Sequence, residues 1–278
     1  MSFLLLVCGS PAGVWADSRS APPTSNLQLL VRNTVRNEVQ AWKSPPAYFE
    51  YEEVDWSPEE TCVSREIETP DGVFGRLITV NGEPPSPKRR RKEAQQLQKL
   101  DRDPEARRSM VRGEQEDVKN RMELLQEFPN AFRFALDGPM TSGVIRLKFQ
   151  PNPNFHPASR NALALRGAEG TMWIDESSER LMKIEGTLIR DVTLGWGVVV
   201  RLRRGGHFDW EQSQVVPGVW ELTLLSVNLK GKIFLVKNLD VQTKETHRSF
   251  KRLPDHLSAT QAISMLLGHE MGLEVSAK

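Results

Sequence analysis

Five histidines, His156, His207, His247, His256 and His269, are the side chains best suited to hold a metal or move a proton. None stands three or four residues from another, the spacing that puts two ligands on one helix face. His269-Glu270 lacks the second histidine of a metalloprotease helix. Asp175, Glu176 and Glu179 could supply a general acid and base. They fall in a polar turn, where carboxylates are solvated and carry structure more often than chemistry. The chain has no Gly-x-Ser-x-Gly elbow and no phosphate-cradling loop. The cysteines are Cys8 and Cys62, too few for a multi-cysteine zinc site. No catalytic residue, metal or cofactor is expected, and the chain reads as non-enzymatic.

Two further groups could bind without catalysing. Lys88-Arg89-Arg90-Arg91-Lys92 is a basic run that could touch anionic lipid headgroups, each residue contributing about 1 kcal/mol near such a surface. The plainer reading is a solvated helix start. Trp173, Trp196, Trp210 and Trp220 fall in the strand-rich C-terminal part. Aromatic rings on a concave sheet would line an apolar ligand cavity, although such residues are more often core. Trp173 and Ile174 cannot face the same side of a strand.

The elements that position these residues follow from composition and pattern. The 278 residues carry 37 Lys+Arg against 36 Asp+Glu, a net charge of +1. A whole-chain nucleic-acid binder needs a basic excess to neutralise phosphates, so that class is excluded. Mean hydropathy is −0.45, which excludes a polytopic membrane protein. The charge is uneven. Residues 88–127 hold twelve basic and nine acidic side chains. The remainder is slightly acidic.

The first sixteen residues read as a secretory signal. An apolar run, Phe3 to Cys8, precedes Val14-x-Ala16, which suits cleavage after Ala16. No basic residue precedes Phe3, which points to a start upstream of Met1. Leu5-Leu6-Val7-Cys8 also hints at lipidation of Cys8, although Val7 is large for that motif. The expected location is the periplasm or cell envelope.

Residues 17–26 form a flexible lead. Leu27, Leu30, Val31, Val35, Val39 and Trp42 recur at helical spacing, and Pro45-Pro46 ends that helix. Segments 62–69 and 73–80 read as a hairpin about Thr69-Pro70-Asp71-Gly72. Two surface helices are expected over 89–101 and 104–127, ending at Phe128-Pro129-Asn130. Strands then follow at 132–136, 144–149, 170–175, 181–187, 196–203, 207–216, 219–229, 232–239 and 241–252. Their breaks include Gly205-Gly206, Pro217-Gly218 and Lys230-Gly231. A last helix covers 258–270. The sum is an α+β fold: a curved antiparallel half-barrel of about ten or more strands covered by a few helices.

The hairpin Gly170-Thr171-Met172-Trp173-Ile174-Asp175 through Arg180-Leu181-x-Lys183-Ile184-x-Gly186 resembles one common in the bacterial lipoprotein-localisation-factor superfamily. The stretches 148–157 and 186–192 are similar to an uncharacterised family of outer-membrane lipoprotein-sorting-like proteins. The resemblance spans about 27–252 and makes 27–270 a single domain with a charged helical insertion at 88–127. It implies a hydrophobic cavity that accepts lipid or lipoprotein acyl chains, and no catalytic residues. The alternative is an envelope scaffold or sensor that grips a protein partner through the sheet and the 88–127 segment.

Overall fold

A computed structural model describes residues 24–43, 47–139, 143–159, 161–195, 199–234 and 237–275. The expected signal, Cys8 and Trp196 lie outside them. Helix α1 (Thr24–Lys43) leads into strands β1 (Phe49–Trp56), β2 (Thr61–Thr69) and β3 (Gly72–Val80). Helices α2 (Pro87–Arg102) and α3 (Pro104–Ala131) follow. Then come β4 (Phe132–Leu136), β5 (Val144–Pro151), a 3-10 turn (Asn161–Gly167), β6 (Ala168–Asp175) and β7 (Leu181–Leu188). The chain closes with β8 (Val192–Gly195), β9 (Val199–Leu202), β10 (His207–Val216), β11 (Val219–Ile233), β12 (Lys237–Arg252) and α4 (Ala259–Val275).

All twelve strands join one antiparallel sheet in the order β3-β2-β1-β12-β11-β10-β7-β6-β5-β4, with β8 and β9 paired at the far end of β11. The sheet is curved and open, with β3 and β4 as its edges. Directly opposed residues of antiparallel strands share a face. One cross-strand row therefore defines the inner face: Leu136, Leu147, Met172, Ile184, Trp210, Leu225, Glu245, Asp55 and Cys62.

Helix α1 packs on this inner face because Leu27, Val31, Val35 and Val39 repeat every fourth residue and point one way. Helix α3 leads directly into edge strand β4. Near the opposite edge its Met110, Val111 and Glu114 surround Gly72 of β3. At 28 residues it is about 40 Å long, so it spans between the two edges. The outer face of β2–β3 is covered separately. Ile67 and Phe74 pack there against Leu97 of α2 and Ile263 and Leu266 of α4.

Two breakers expected in the sequence do not break. Helix α3 runs through Pro129 to Ala131. Phe128, Pro129 and Ala131 are buried, with Phe128 against Phe132 and Phe149, and this burial offsets the one lost backbone bond. Strand β11 runs through Lys230-Gly231 to Ile233 as one strand. Gly231 is needed for close approach: a Cβ there would stand 2.3 Å from the Arg201 carbonyl oxygen of β9. The expected strand 196–203 is described only as β9, which pairs with the unforeseen β8. The segment 88–127 is not a detached arm, since Leu97 lies in the outer-face core and Met122, Leu124 and Leu125 pack against the inner one.

Candidate functional site

The inner face divides into two halves of opposite chemistry. From β4 to β10 it is apolar. Leu147, Phe149, Met172 and Ile174 are fully buried beneath α1 and α3. Phe128, Phe132 and Phe149 form a ring cluster with centroids 4.6 to 5.1 Å apart, mostly edge to face. Phe208, Trp210 and Leu229 continue the surface, half-buried at the border of this core.

One polar clamp holds α1 over this half. Glu38 faces the sheet with its side chain wholly buried. Its carboxylate accepts from Arg180 through both oxygens, at 2.7 and 3.0 Å. The Leu181 amide and the Gln212 side chain also donate to Oε1, at 2.9 and 3.0 Å. A buried carboxylate with four donors is stable there, and one without them is not.

Beyond Leu225 and Leu229 of β11 the same face turns acidic around a smaller apolar cluster of Phe49, Tyr51, Val219 and Phe250. Tyr51 stacks on His247 at 4.7 Å and on Phe250 at 5.4 Å. His247 Nε2 lies 2.6 Å from Glu245 and 3.4 Å from Glu53. Burial alone would lower its pKa, but hydrogen bonds to the two carboxylates raise it to about 9. Burial pushes Glu66 and Glu68 up to about 7 each, although hydrogen bonds from Ser64 and the Phe49 amide pull the other way. Glu221 is pushed up to about 8 by burial and by Glu68 nearby. The Tyr51 hydroxyl is driven far above its ordinary range, chiefly by burial and then by Glu68 and Glu66. Ligand atoms of Glu53, Glu245 and His247 all lie within 4.8 Å of one another. Among the described residues these three could hold a cation; in this structure they satisfy each other.

The residues expected from sequence scatter over both faces. Trp210 lies on the inner face beside Ile184 and Leu225. Trp173 lies on the outer face, since its neighbours Met172 and Ile174 point inward. There the Lys183 ammonium sits 5.3 Å from its ring, bridging Glu185 and Glu211 at 2.5 and 2.8 Å. Trp220 is half-buried on β11 between Val219 and Glu221. The three described tryptophans therefore do not line one cavity. Lys88, Arg90, Arg91 and Lys92 are exposed on the first turns of α2. Arg89 instead forks onto Glu60, at 2.9 and 3.0 Å. Asp175 closes the β6–β7 turn by accepting from Ser178 and Ser177, and the Ser178 hydroxyl leads in holding its pKa below the ordinary carboxylate range. Burial raises the Cys62 thiol pKa, the opposite of an activated nucleophile.

Sequence reasoning missed Glu38 and the Glu53–Glu245–His247 cluster. Alternation was the available signal: Tyr51 and Glu53, and Glu245 and His247, are each two apart on a strand. Strands β1 and β12 are adjacent in space but lie nearly 200 residues apart, and nothing local pairs them.

No family model, curated protein or solved structure matches the chain. No helix among the described residues is long and apolar enough to cross a membrane.

Proposed function

We propose that the chain is an exported cell-envelope protein that binds a lipid or lipoprotein acyl chain on the inner face of its half-barrel, without catalysis. The observation that carries this reading is the apolar row from Leu136 to Leu225, six strands wide and covered by helices rather than by a second sheet. Such a surface offers an acyl chain a long apolar bed. Burying a chain contributes about 0.8 kcal/mol per methylene. Helix α1 now fills the bed with Leu27, Val31, Val35 and Val39. Exchange of α1 for a chain swaps one apolar filling for another, so it is close to balanced. The resemblance of the β6–β7 hairpin to that of lipoprotein carriers points the same way. The Glu38–Arg180 clamp then sets how readily α1 yields.

Uptake of a dansyl-labelled fatty acid by the mature protein tests this, together with native mass spectrometry for co-purified lipid. Uptake is expected in the wild type. It should be faster in Glu38→Gln, where the clamp loses its charge, and weaker in Trp210→Glu, which puts a carboxylate on the bed. No lipid carried and no probe taken up by either wild type or Glu38→Gln sinks the proposal.

A further inference from the structure

A second site lies outside the inner face. Helix α1 and the α3–β4 junction enclose two concavities of about 480 and 510 Å³ that share Arg32, Pro129 and Asn130. Arg133 and His156 stand on the first, and Arg36 and Lys43 on the second. Against these four permanent cations the linings hold a single carboxylate, Glu127. The imbalance comes from α1 itself. Its cations Arg32, Arg36 and Lys43 are exposed, and its only acid, Glu38, is turned inward and used by Arg180. Arg32 and Arg36 are like charges four apart on a helix, an arrangement that costs stability. Among the described residues no acidic side chain pairs with Arg32, Arg36, Lys43 or Arg133.

The walls of the groove are fixed. The Gln28 amide donates to the Pro129 carbonyl, tying α1 to α3. The Asn152 side chain donates to the Asn130 carbonyl at 3.0 Å. His156 Nδ1 lies 2.9 Å from the Asn154 carbonyl. A carbonyl only accepts, so Nδ1 carries the proton and Nε2 is left for another partner. Guanidinium groups on a firm frame are the preferred partners of phosphate oxygens, which they meet as a planar fork.

We propose that this groove binds a phosphate-bearing group, with Arg32 at the centre and Arg133, Arg36 and Lys43 flanking it. The group is a phospholipid headgroup or a soluble phosphate. The site does not depend on what the apolar bed takes, and it is distinct from the basic run at the start of α2.

The test has two probes on the full chain. Inorganic phosphate is titrated calorimetrically. Phosphatidylcholine vesicles, with and without phosphatidylglycerol, are sedimented with the protein. Loss of the two charge-assisted contacts in Arg32→Glu/Arg133→Glu should weaken binding about tenfold or more, and Arg32→Lys/Arg133→Lys should retain part of it. Both positions are exposed, so the fold should survive; Arg36→Glu serves if the double variant does not fold. Phosphate bound without vesicles assigns the site to soluble phosphates. Vesicle binding that needs phosphatidylglycerol and the arginines assigns it to headgroups. Binding of neither probe, or binding that Arg90→Glu/Arg91→Glu abolishes and the groove variants leave intact, overturns it. Failure of fatty-acid uptake leaves this result untouched, so the two proposals fail separately.

Discussion

The apolar and acidic halves of the inner face belong to one sheet and even to one cross-strand row. Between β4 and β11 that row reads Leu136, Leu147, Met172, Ile184, Trp210 and Leu225. One strand further it reads Glu245, then Asp55. Helix α1 covers the first part. Burying aliphatic surface is favourable, and burying an unpaired carboxylate is not. The apolar stripe of α1 packs within the first part. Two carboxylates of the second part, Glu53 and Glu245, gather round His247. Three others, Glu66, Glu68 and Glu221, are pushed by burial to hold protons at pH values where free carboxylates would have lost them. The same backbone thus provides one apolar half and one in which a smaller apolar cluster of Phe49, Tyr51, Val219 and Phe250 sits beside carboxylates.

That contrast predicts unequal responses to truncation. Phe149 is fully buried and touches Phe128 and Phe132. Phe149→Ala should lower the unfolding free energy in urea by about 3–5 kcal/mol. Truncating Glu245, a third exposed at its side chain, should cost far less. Equal losses would erase the distinction between the halves. Next in size is the clamp at their border. Arg180→Ala leaves the Glu38 carboxylate buried without its guanidinium, for a loss of about 2–3 kcal/mol once the partial exposure of Arg180 is allowed for. Arg180→Lys keeps the charge but not the fork and should lose less. A silent Arg180→Ala would mean α1 is held by packing alone.

Much of this architecture was legible in the sequence. The hairpin β2–β3 is written in Pro70 and Gly72, and α1 in its every-fourth-residue apolar stripe, because both are local and periodic. The misread positions have tertiary causes. Pro129 and Gly231 are breakers by local rule, yet one is buried next to Phe128, whose ring packs on Phe132, and the other admits the β9 backbone. Gly231→Ala should therefore cost about 1–3 kcal/mol by overpacking against Arg201, with the β8–β9 hairpin losing hydrogen-exchange protection first. A neutral Gly231→Ala would mean the hairpin is not pinned there. The candidate site was the least legible part. Local spacing gives His247 no histidine three or four residues away, and its partners Tyr51 and Glu53 arrive from a strand nearly 200 residues away.

The smallest expected effect is in pH dependence, and it isolates the acidic half. Glu66 and Glu68 titrate at about 7 and Glu221 at about 8 in the folded chain, against 4.5 for a free carboxyl. Above pH 4.5 the unfolded chain has given up protons that the folded chain still holds. These groups therefore stabilise the fold at low pH, and that contribution is lost as pH rises toward 8. His247 titrates at about 9 against 6.5. Its contribution is present below 6.5 and lost as pH rises through 9. All four shifts have one sign, so the melting temperature should decline steadily from about pH 6 to pH 9. Glu221→Gln keeps the shape of the side chain and removes its proton. It should flatten the slope and melt higher than the wild type at pH 9. Met172 is buried in the apolar half and carries no titratable group, so Met172→Leu should shift the curve without changing its slope. A wild-type curve that rises over this range, or a Glu221→Gln slope equal to the wild type's, would mean that water reaches these carboxylates freely. The inner face would then be wet on this side for a reason other than the charges that line it.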